Sequence, residues 1–174
     1  MWSKRQRYWL AANKVLLAAK ASQFKFYNPR TDTYVGGWVT PSDGHGRYQL
    51  KVPLGPGCPD EMPPLYVVSP LILPKYGGGA VNEEQRSHAF HTWKNGPGGC
   101  VSICHNTPGR WNPKCTILGI VIKGLLWVEA YSRHLKTGMS IASFFEELRR
   151  PGQRSHEYPP LWTKESRLCL NKKD

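Results

Sequence analysis

Residues 88–113 hold the side chains of this chain that are most able to do chemistry. The segment reads HAFHTWKNGPGGCVSICHNTPGRWNP and combines two cysteines with histidines, glycines and tryptophans. Cys104 follows an extended apolar step at Ile103 and precedes a predicted helix start at Trp111-Asn112-Pro113. The thiolate is the nucleophilic form of cysteine, and nearby histidines or an arginine can lower its pKa or carry its proton. We therefore expect Cys104 to be a reactive thiol, with these neighbours in sequence: His88, His91, His105 and Arg110.

Two other interpretations fit the same residues. The pairs His88-x2-His91 and Cys100-x3-Cys104 supply four zinc-competent side chains within seventeen residues, although the spacing differs from usual zinc modules and no carboxylate lies nearby. Cys104 is alternatively a buried and inert cysteine, since free cysteines are among the most buried residues. The other cysteines have no partner at a useful spacing and are expected to be structural: Cys58, Cys115 and Cys169.

Size and charge limit the class of protein. A chain of 174 residues fits one domain with a substantial core, and we place that domain at residues 1–152, followed by a basic tail at 153–174. The net charge of +12 favours acidic partners, but the basic residues concentrate at the two ends rather than among exposed aromatic residues. That distribution argues against a nucleic-acid groove.

Cysteine usage and hydropathy bear on location. The chain has five cysteines and no visible signal peptide, so a reducing cytoplasm is the expected compartment. The longest apolar run, residues 117–128, is interrupted by Gly119, Lys123 and Gly124, and is too short and polar for a membrane span. We expect a soluble protein with no membrane partner.

Periodicity predicts the elements that must position the thiol. Apolar residues at helical spacing predict an amphipathic helix over residues 4–20, and four short alternating runs predict an antiparallel meander at 24–27, 34–40, 47–54 and 65–68. Prolines at both ends mark the fourth strand as an edge or terminated strand. The apolar face of the helix is predicted to comprise Tyr8, Ala12, Val15, Leu16 and Ala19.

Two helices are predicted after the reactive segment, which makes the fold class α+β. Asn112 can cap a helix that begins at Pro113, is largely buried to Glu129 and stops near Gly138. Ser140 can cap a last short helix that ends before residues 151–152.

This order of elements resembles the ubiquitin-conjugating-enzyme (UBC) fold. In that family a Tyr-Pro-x-x-Pro-Pro turn leads into the fourth strand, and residues 58–64, CPDEMPP, resemble it with Cys58 where an aromatic residue is usual. The family's active-site string runs from a histidine through Gly-x-Ile/Leu-Cys to Trp-x-Pro. Its counterparts over a likeness that covers roughly residues 4–150 are His91, Gly99, Ile103-Cys104 and Trp111-Asn112-Pro113.

A bacterial branch of this family is more similar still. Residues 126–131, LWVEAY, followed by Lys136-Thr137-Gly138, resemble a tryptophan-containing helix that ends in Thr-Gly in that branch. Its members occur in antiphage (CBASS) operons built around a cGAS-like cyclic-oligonucleotide synthase. A short form acts without an activating-enzyme domain and joins the C-terminus of the synthase to its own cysteine. With no second domain in its sequence, this chain is similar to that short form.

The resemblance implies a transferase in bacterial antiviral defence that forms a thioester and needs no cofactor or metal. It assigns Cys104, His91 and Asn106 as the catalytic residues. Cys104 lies seven positions before Trp111, whereas Cys100 lies eleven before it, which favours Cys104. The implied partner is the C-terminus of a cGAS-like nucleotidyltransferase or of a ubiquitin-like protein, with or without a separate activating enzyme.

The chain departs from the family pattern at one mechanistic position. His91-Thr92-Trp93 stands where the eukaryotic enzymes have His-Pro-Asn. The asparagine side chain that stabilises an oxyanion must therefore be Asn95 or Asn106, or be absent. Two alternatives remain beside the enzyme. One is a catalytically inert UBC-fold binding module, and the other is a basic zinc- or nucleic-acid-binding domain.

Overall fold

The computed structural model describes residues 2–27 and 32–149, so the predicted tail at 153–174 lies outside the described residues. Within these ranges the chain is α+β. Short 3₁₀ turns lie at Val81–Glu83, Pro97–Gly99 and Pro108–Arg110. The main elements follow in the order α1 (Lys4–Lys20), β1 (Phe24–Tyr27), β2 (Tyr34–Val39), β3 (Tyr48–Pro53), β4 (Tyr66–Ser69), β5 (Val101–Ser102), α2 (Ile117–Thr137) and α3 (Ile141–Arg149).

The sheet has five antiparallel strands in sequence order, β1 to β5, rather than the four predicted. The fifth strand pairs Ser102 with Tyr66 and Val101 with Val67, so β4 lies inside the sheet and is not an edge strand. The alternative prediction of a terminated strand fits, because β4 ends at Ser69, just before Pro70. The two paired residues of β5 are too few to produce an alternating pattern in a sequence. This short strand leads directly into Cys104.

Helix α2 packs on the inner face of the sheet and provides much of the core. Trp127 and Tyr131 of this helix are fully buried and stack with ring centroids 5.3 Å apart. A Cβ at Gly124 would lie 2.7 Å from Leu50 Cδ1, so the helix approaches the sheet more closely than any larger residue permits. The close approach brings the residues of α2 up to the end of β5.

Helix α1 turns a different face to the core from the one predicted. Tyr8 and Val15 of the predicted apolar face are 67% and 70% exposed, whereas Asn13 and Leu17 are buried. Asn13 Oδ1 accepts a hydrogen bond of 2.7 Å from the amide of Ile117, and its Nδ2 donates to the carbonyl of Trp9 at 2.9 Å. The prediction was wrong because a polar residue occupies the centre of the buried stripe.

Helix α2 begins at Ile117, four residues after the predicted start at Pro113. Thr116 is the N-cap and accepts from the amide of Gly119 at 3.1 Å, while Asn112 instead accepts from the amide of Lys114 within the preceding turn. The predicted stop at Gly138, which has a left-handed φ of 73°, is confirmed.

The predicted cap of the last helix is also confirmed. Ser140 accepts from the amide of Ser143 at 3.1 Å at the start of α3. In the described ranges, no helix has both the length and the apolar character needed to cross a membrane.

Candidate active site

Cys104 lies at the end of β5, between β4 and the segment that carries His91. The amide of Ile103 donates to the carbonyl of Leu65 at 2.8 Å, and the amide of Cys104 donates to the carbonyl of His91 at 2.7 Å. A bridge between Thr92 and Ile103 adds a second antiparallel link. Main-chain hydrogen bonds therefore hold the backbone of Ile103 and Cys104 to the neighbouring segments on both sides. The side chain of Cys104 is half-buried.

Helices α2 and α3 hold the histidine side of this site. Trp127 Nε1 donates to the carbonyl of Phe90 at 2.9 Å, and the amide of Ala142 donates to the carbonyl of Ala89 at 3.0 Å. The ring of Phe145 meets the imidazole of His91 edge to face, with centroids 4.9 Å apart. The irregular segment before β5 is therefore fixed by the two helices that follow it in sequence.

The three residues predicted to be catalytic line one pocket. Cys104, His91 and Asn106 contribute to its wall, whereas Cys100 does not. Cys100 is 4% exposed, and a Cβ at Gly96 would lie 2.9 Å from its Sγ, which shows that a glycine loop covers this thiol. The other residues around the pocket are Ile103, His105, Thr107, Arg110, Lys123, Phe145 and Arg149.

Three cationic side chains line the pocket beside the thiol. Arg110 comes from the turn before Trp111, Lys123 from α2 and Arg149 from the end of α3. No acidic side chain in the described residues lines the pocket. The site therefore favours negative charge, whether on a thiolate, a carboxylate or an oxyanion.

Sequence reasoning missed Lys123 and Arg149 as site residues. A signal for Lys123 was present, because it is a single charge within the otherwise apolar run at 117–128. A charged residue in a helix that packs against the core usually faces a polar site or solvent. Arg149 gave no comparable signal, since it closes a helix where a basic residue is ordinary.

Burial controls the protonation of the thiol. It raises the pKa of Cys104 above the ordinary value of 9.0, and the charge of Lys123 opposes this effect without cancelling it. The thiol is therefore protonated at neutral pH in the free protein. A reaction at Cys104 must remove that proton as the nucleophile forms.

The nearby histidines do not provide the positive charge that the sequence suggested. Burial lowers the pKa of His91 to about 4, with further lowering by His88, Arg149 and Lys123. Burial also lowers the pKa of His105 to about 4, and its Nε2 makes a 2.8 Å hydrogen bond with the carbonyl of Pro63. Both imidazoles are neutral at pH 7, so Lys123, rather than His91 or His105, favours the thiolate.

Asn106 is the carboxamide at the site. Its main-chain carbonyl lies 4.0 Å from Cys104 Sγ, and its Oδ1 accepts from the amide of Thr107 at 2.9 Å. Asn95, the other candidate for an oxyanion donor, points its Nδ2 to the carbonyl of Asn82 at 2.8 Å and lies outside the pocket lining. The geometry therefore separates two residues that the sequence left equivalent.

Trp111 lies next to the pocket residue Arg110 in sequence but is not part of the pocket lining. Its Nε1 donates to the carbonyl of Pro59 at 2.8 Å, and its ring meets that of His105 at 6.4 Å edge to face. These contacts join the turn after Cys104 to the proline-rich segment before β4. Trp111 is therefore a packing residue that braces this turn.

The four side chains of the zinc interpretation do not form one site. The rings of His88 and His91 are 5.4 Å apart, but Cys100 lies under the glycine loop and Cys104 in the pocket. Among residues 2–27 and 32–149, no group of three or more His, Cys, Asp or Glu side chains could hold a metal ion. The zinc interpretation gains no support from this arrangement.

Comparison of this chain with protein-family models, with curated proteins and with solved structures gave no match. We therefore infer its function from the residues of the pocket and their chemistry.

Proposed function

We propose that this chain is a cysteine-dependent conjugating enzyme of the UBC fold, in which Cys104 takes up the C-terminal acyl group of a partner protein as a thioester. The observation that carries the proposal is the pocket itself. A half-buried thiol shares it with three cations and with Asn106, and a second nearby thiol, Cys100, is excluded from it. This arrangement suits a nucleophile that reacts as a thiolate through a negatively charged, oxyanion-like transition state.

The order of the elements supports the choice of family. The chain runs from a helix through an antiparallel sheet in sequential order to a thiol segment and two helices, which is compatible with the order that the resemblance implies, although the sheet has a fifth strand. Trp111 joins the thiol segment to the turn before β4, which are the two stretches where the resemblance is most specific. We choose the UBC fold because the α+β architecture and the order of the local sequence motifs are both compatible with it.

The chemistry proposed for the pocket is acyl transfer to sulfur. The donor is a thioester or another activated carboxyl group, because a free carboxylate has no adequate leaving group. Cys104 Sγ bonds to the carbonyl carbon, the bond to the leaving group breaks, and the leaving group departs with its electron pair. The thiol proton passes to the leaving group or to solvent. Lys123 favours the thiolate, and the cations with Asn106 steady the oxyanion.

The proposed partner is a cGAS-like nucleotidyltransferase in bacterial antiviral defence, whose C-terminus would be the acyl group. A ubiquitin-like protein is the other acyl donor of the same chemistry. The net charge of +12 favours an acidic partner, and the cations of the pocket suit the negative charge that develops on the acyl oxygen during transfer.

The test is to trap the adduct on Cys104. The protein is mixed with each candidate donor, its activating enzyme and ATP where one exists, and analysed by gel and mass spectrometry. We expect a wild-type adduct that reducing agent removes, a Cys104→Ser adduct that survives it, and none with Cys104→Ala. Cys100→Ser is the matched control and should keep the adduct. An adduct lost in Cys100→Ser but kept in Cys104→Ala would contradict the assignment.

A UBC-fold binding module without catalysis is the second candidate, and one observation favours it. The pKa of Cys104 is raised by burial, and both neighbouring histidines are neutral, so the resting thiol is not activated. This candidate predicts that a donor protein binds the chain equally well with and without the thiol and forms no adduct. Calorimetry of the wild type and Cys104→Ala, beside the trapping gel, separates the two functions.

A further inference from the structure

The outer face of the sheet, away from α2, carries aromatic and basic side chains together. Strand β2 alternates so that Val35 and Val39 are buried while Tyr34 and Trp38 point outward. Strand pairing then brings residues from distant parts of the sequence beside them. We call this surface the sheet platform, and its members are Tyr27, Tyr34, Trp38, Lys25, Arg47 and Lys51.

Two of the three aromatic residues of the sheet platform are exposed to solvent, and Tyr34 is partly buried. Tyr27 and Trp38 are 45% and 40% exposed, although both belong to strands of the main sheet. Tyr27 pairs with Tyr34 across the strands, and their rings stack 4.9 Å apart. Tyr34 and Trp38 are four residues apart on β2, which separates these two aromatic positions by roughly 13 Å.

The cations of the sheet platform lie over the aromatic rings. Lys51 Nζ is 4.3 Å from the ring centroid of Tyr34, and Arg47 Cζ is 4.5 Å from that of Trp38. The five strands contain no Asp or Glu. Asp32, just before β2, pairs with Lys51 at 3.0 Å. This face of the sheet therefore carries cationic side chains beside aromatic rings, and the strands hold both in fixed positions.

We propose that the sheet platform binds single-stranded nucleic acid, RNA or DNA. Sequence-tolerant binding of this kind needs cations that contact the phosphates and aromatic or guanidinium planes on which bases stack. The platform provides both on a rigid sheet, in a chain with a net charge of +12. The linear sequence hides this surface because Lys25 and the pair Arg47 and Lys51 belong to two separate segments, which only pairing with β2 joins.

Other anionic partners fit the platform less well. An acidic peptide would satisfy the cations but would leave the exposed aromatic surface of Tyr27 and Trp38 unused. In a duplex the bases are already stacked on one another, so only phosphates would remain for the flat sheet to contact. A single strand uses both the cations, which contact its phosphates, and the aromatic rings, on which its unpaired bases stack.

The direct test is fluorescence anisotropy with labelled oligouridine and oligothymidine at one fixed salt concentration. Labelled duplex of the same length and labelled polyglutamate are measured beside them. We expect both single strands to bind more tightly than duplex, and polyglutamate to bind least. Absence of single-strand binding, or binding of duplex or polyglutamate at equal strength, would overturn the proposal.

Variants place the binding on the platform. Tyr27→Ala and Trp38→Ala should each weaken single-strand binding by roughly five-fold or more. Tyr8→Ala and Tyr76→Ala remove aromatic residues that are 67% and 56% exposed outside the sheet, and should leave binding unchanged. Circular dichroism of each variant checks that the fold is intact. An equal loss of single-strand affinity in the two pairs of variants would assign the binding to nonspecific contacts of exposed aromatic residues. That result would contradict a binding site on the sheet platform.

A second pair of variants tests the charges. Lys25→Ala should reduce the salt dependence of binding by about one phosphate contact. Lys4→Ala removes the same charge from the exposed start of α1 and should have little effect. A Lys4→Ala effect as large as that of Lys25→Ala would show binding spread over the whole basic surface, and would refute a defined site. The measurement requires no thiol chemistry and is independent of the proposed acyl transfer.

Discussion

The main-chain amide of Cys104 donates a 2.7 Å hydrogen bond to the carbonyl of His91. The imidazole of His91 takes no part in this bond. The backbone of His91 has a φ of 49°, in the left-handed region, which is uncommon for a non-glycine residue. The backbone therefore fixes where the thiol lies, while burial and nearby charge determine its protonation. Position and reactivity can be tested separately.

The reactivity of Cys104 should rise with pH well beyond neutrality. Burial raises the pKa of this thiol above 9.0, and only the thiolate reacts with iodoacetamide. We expect the rate of alkylation, mapped to Cys104 by mass spectrometry, to be low at pH 7 and to increase until the pH exceeds 9. A rate that is already at its maximum near pH 7 would show a thiol activated by something other than Lys123.

Replacing Lys123 should shift that alkylation profile. Its charge lowers the pKa of Cys104, so Lys123→Ala should move the midpoint to higher pH and slow adduct formation at pH 7. Lys123→Arg keeps the charge and should leave the midpoint close to that of the wild type. If both variants shift equally, the effect comes from packing of the side chain in the pocket rather than from its charge.

The candidate site was predictable as far as its residues are neighbours in sequence. Cys104, His91 and Asn106 lie within sixteen consecutive positions, and the structure brings all three to one pocket. Lys123 and Arg149 reach the pocket from helices whose placement depends on tertiary packing. The choice between Asn95 and Asn106 likewise depended on tertiary structure, because Asn95 bonds to the carbonyl of Asn82 and only Asn106 lines the pocket.

The buried histidines should make the fold sensitive to acid. His105 is 7% exposed, and burial lowers its pKa from 6.5 to about 4. The unfolded chain therefore binds a proton here below pH 6.5, while the folded chain does so only near pH 4. Stability is present above pH 6.5 and is lost as the pH falls towards 4, by on the order of 3 kcal/mol for this group.

Urea unfolding across this pH range measures the effect. His105→Gln keeps a donor for the carbonyl of Pro63 but cannot titrate, so its free energy of unfolding should fall less steeply with acid than that of the wild type. His45→Gln, at an exposed position, is the matched control and should follow the wild type. An unchanged slope in His105→Gln would mean that this imidazole is already protonated in the folded protein.

The buried face of α1 can be tested with one polar and one apolar substitution. Asn13→Ala removes the acceptor for the amide of Ile117 and leaves that buried amide unpaired, which should cost about 2 kcal/mol in the free energy of unfolding. Val15→Ala alters a side chain that is 70% exposed and should cost less than about 0.5 kcal/mol. Thermal or urea unfolding that ranked the two variants in the opposite order would restore the face predicted from periodicity.

That contrast shows why periodicity located α1 but not its orientation. The apolar residues of the helix outnumber the positions that touch the core, so their spacing fits a face that is exposed in the fold. The face of α1 that contacts the core is centred on Asn13. The side chain of Asn13 accepts a hydrogen bond from the amide of Ile117 in α2, 104 positions away in the sequence, and no pattern of apolar residues predicts this bond. The termini of α2 and α3 were easier to predict where a local signal, such as Gly138 or Ser140, sets the boundary.

The contact between α2 and the sheet gives the last prediction. A Cβ at Gly124 would lie 2.7 Å from Leu50 Cδ1 and 3.2 Å from Leu65 Cδ2, so Gly124→Ala must push the helix outward or force these leucines to move. We expect a loss of about 1–3 kcal/mol in urea unfolding, although alanine favours helices. Gly55→Ala, which meets nothing within 4 Å, should be neutral. A stabilised Gly124→Ala would mean that the helix is not packed against the sheet here, and that Lys123 is not held beside Cys104 in this way.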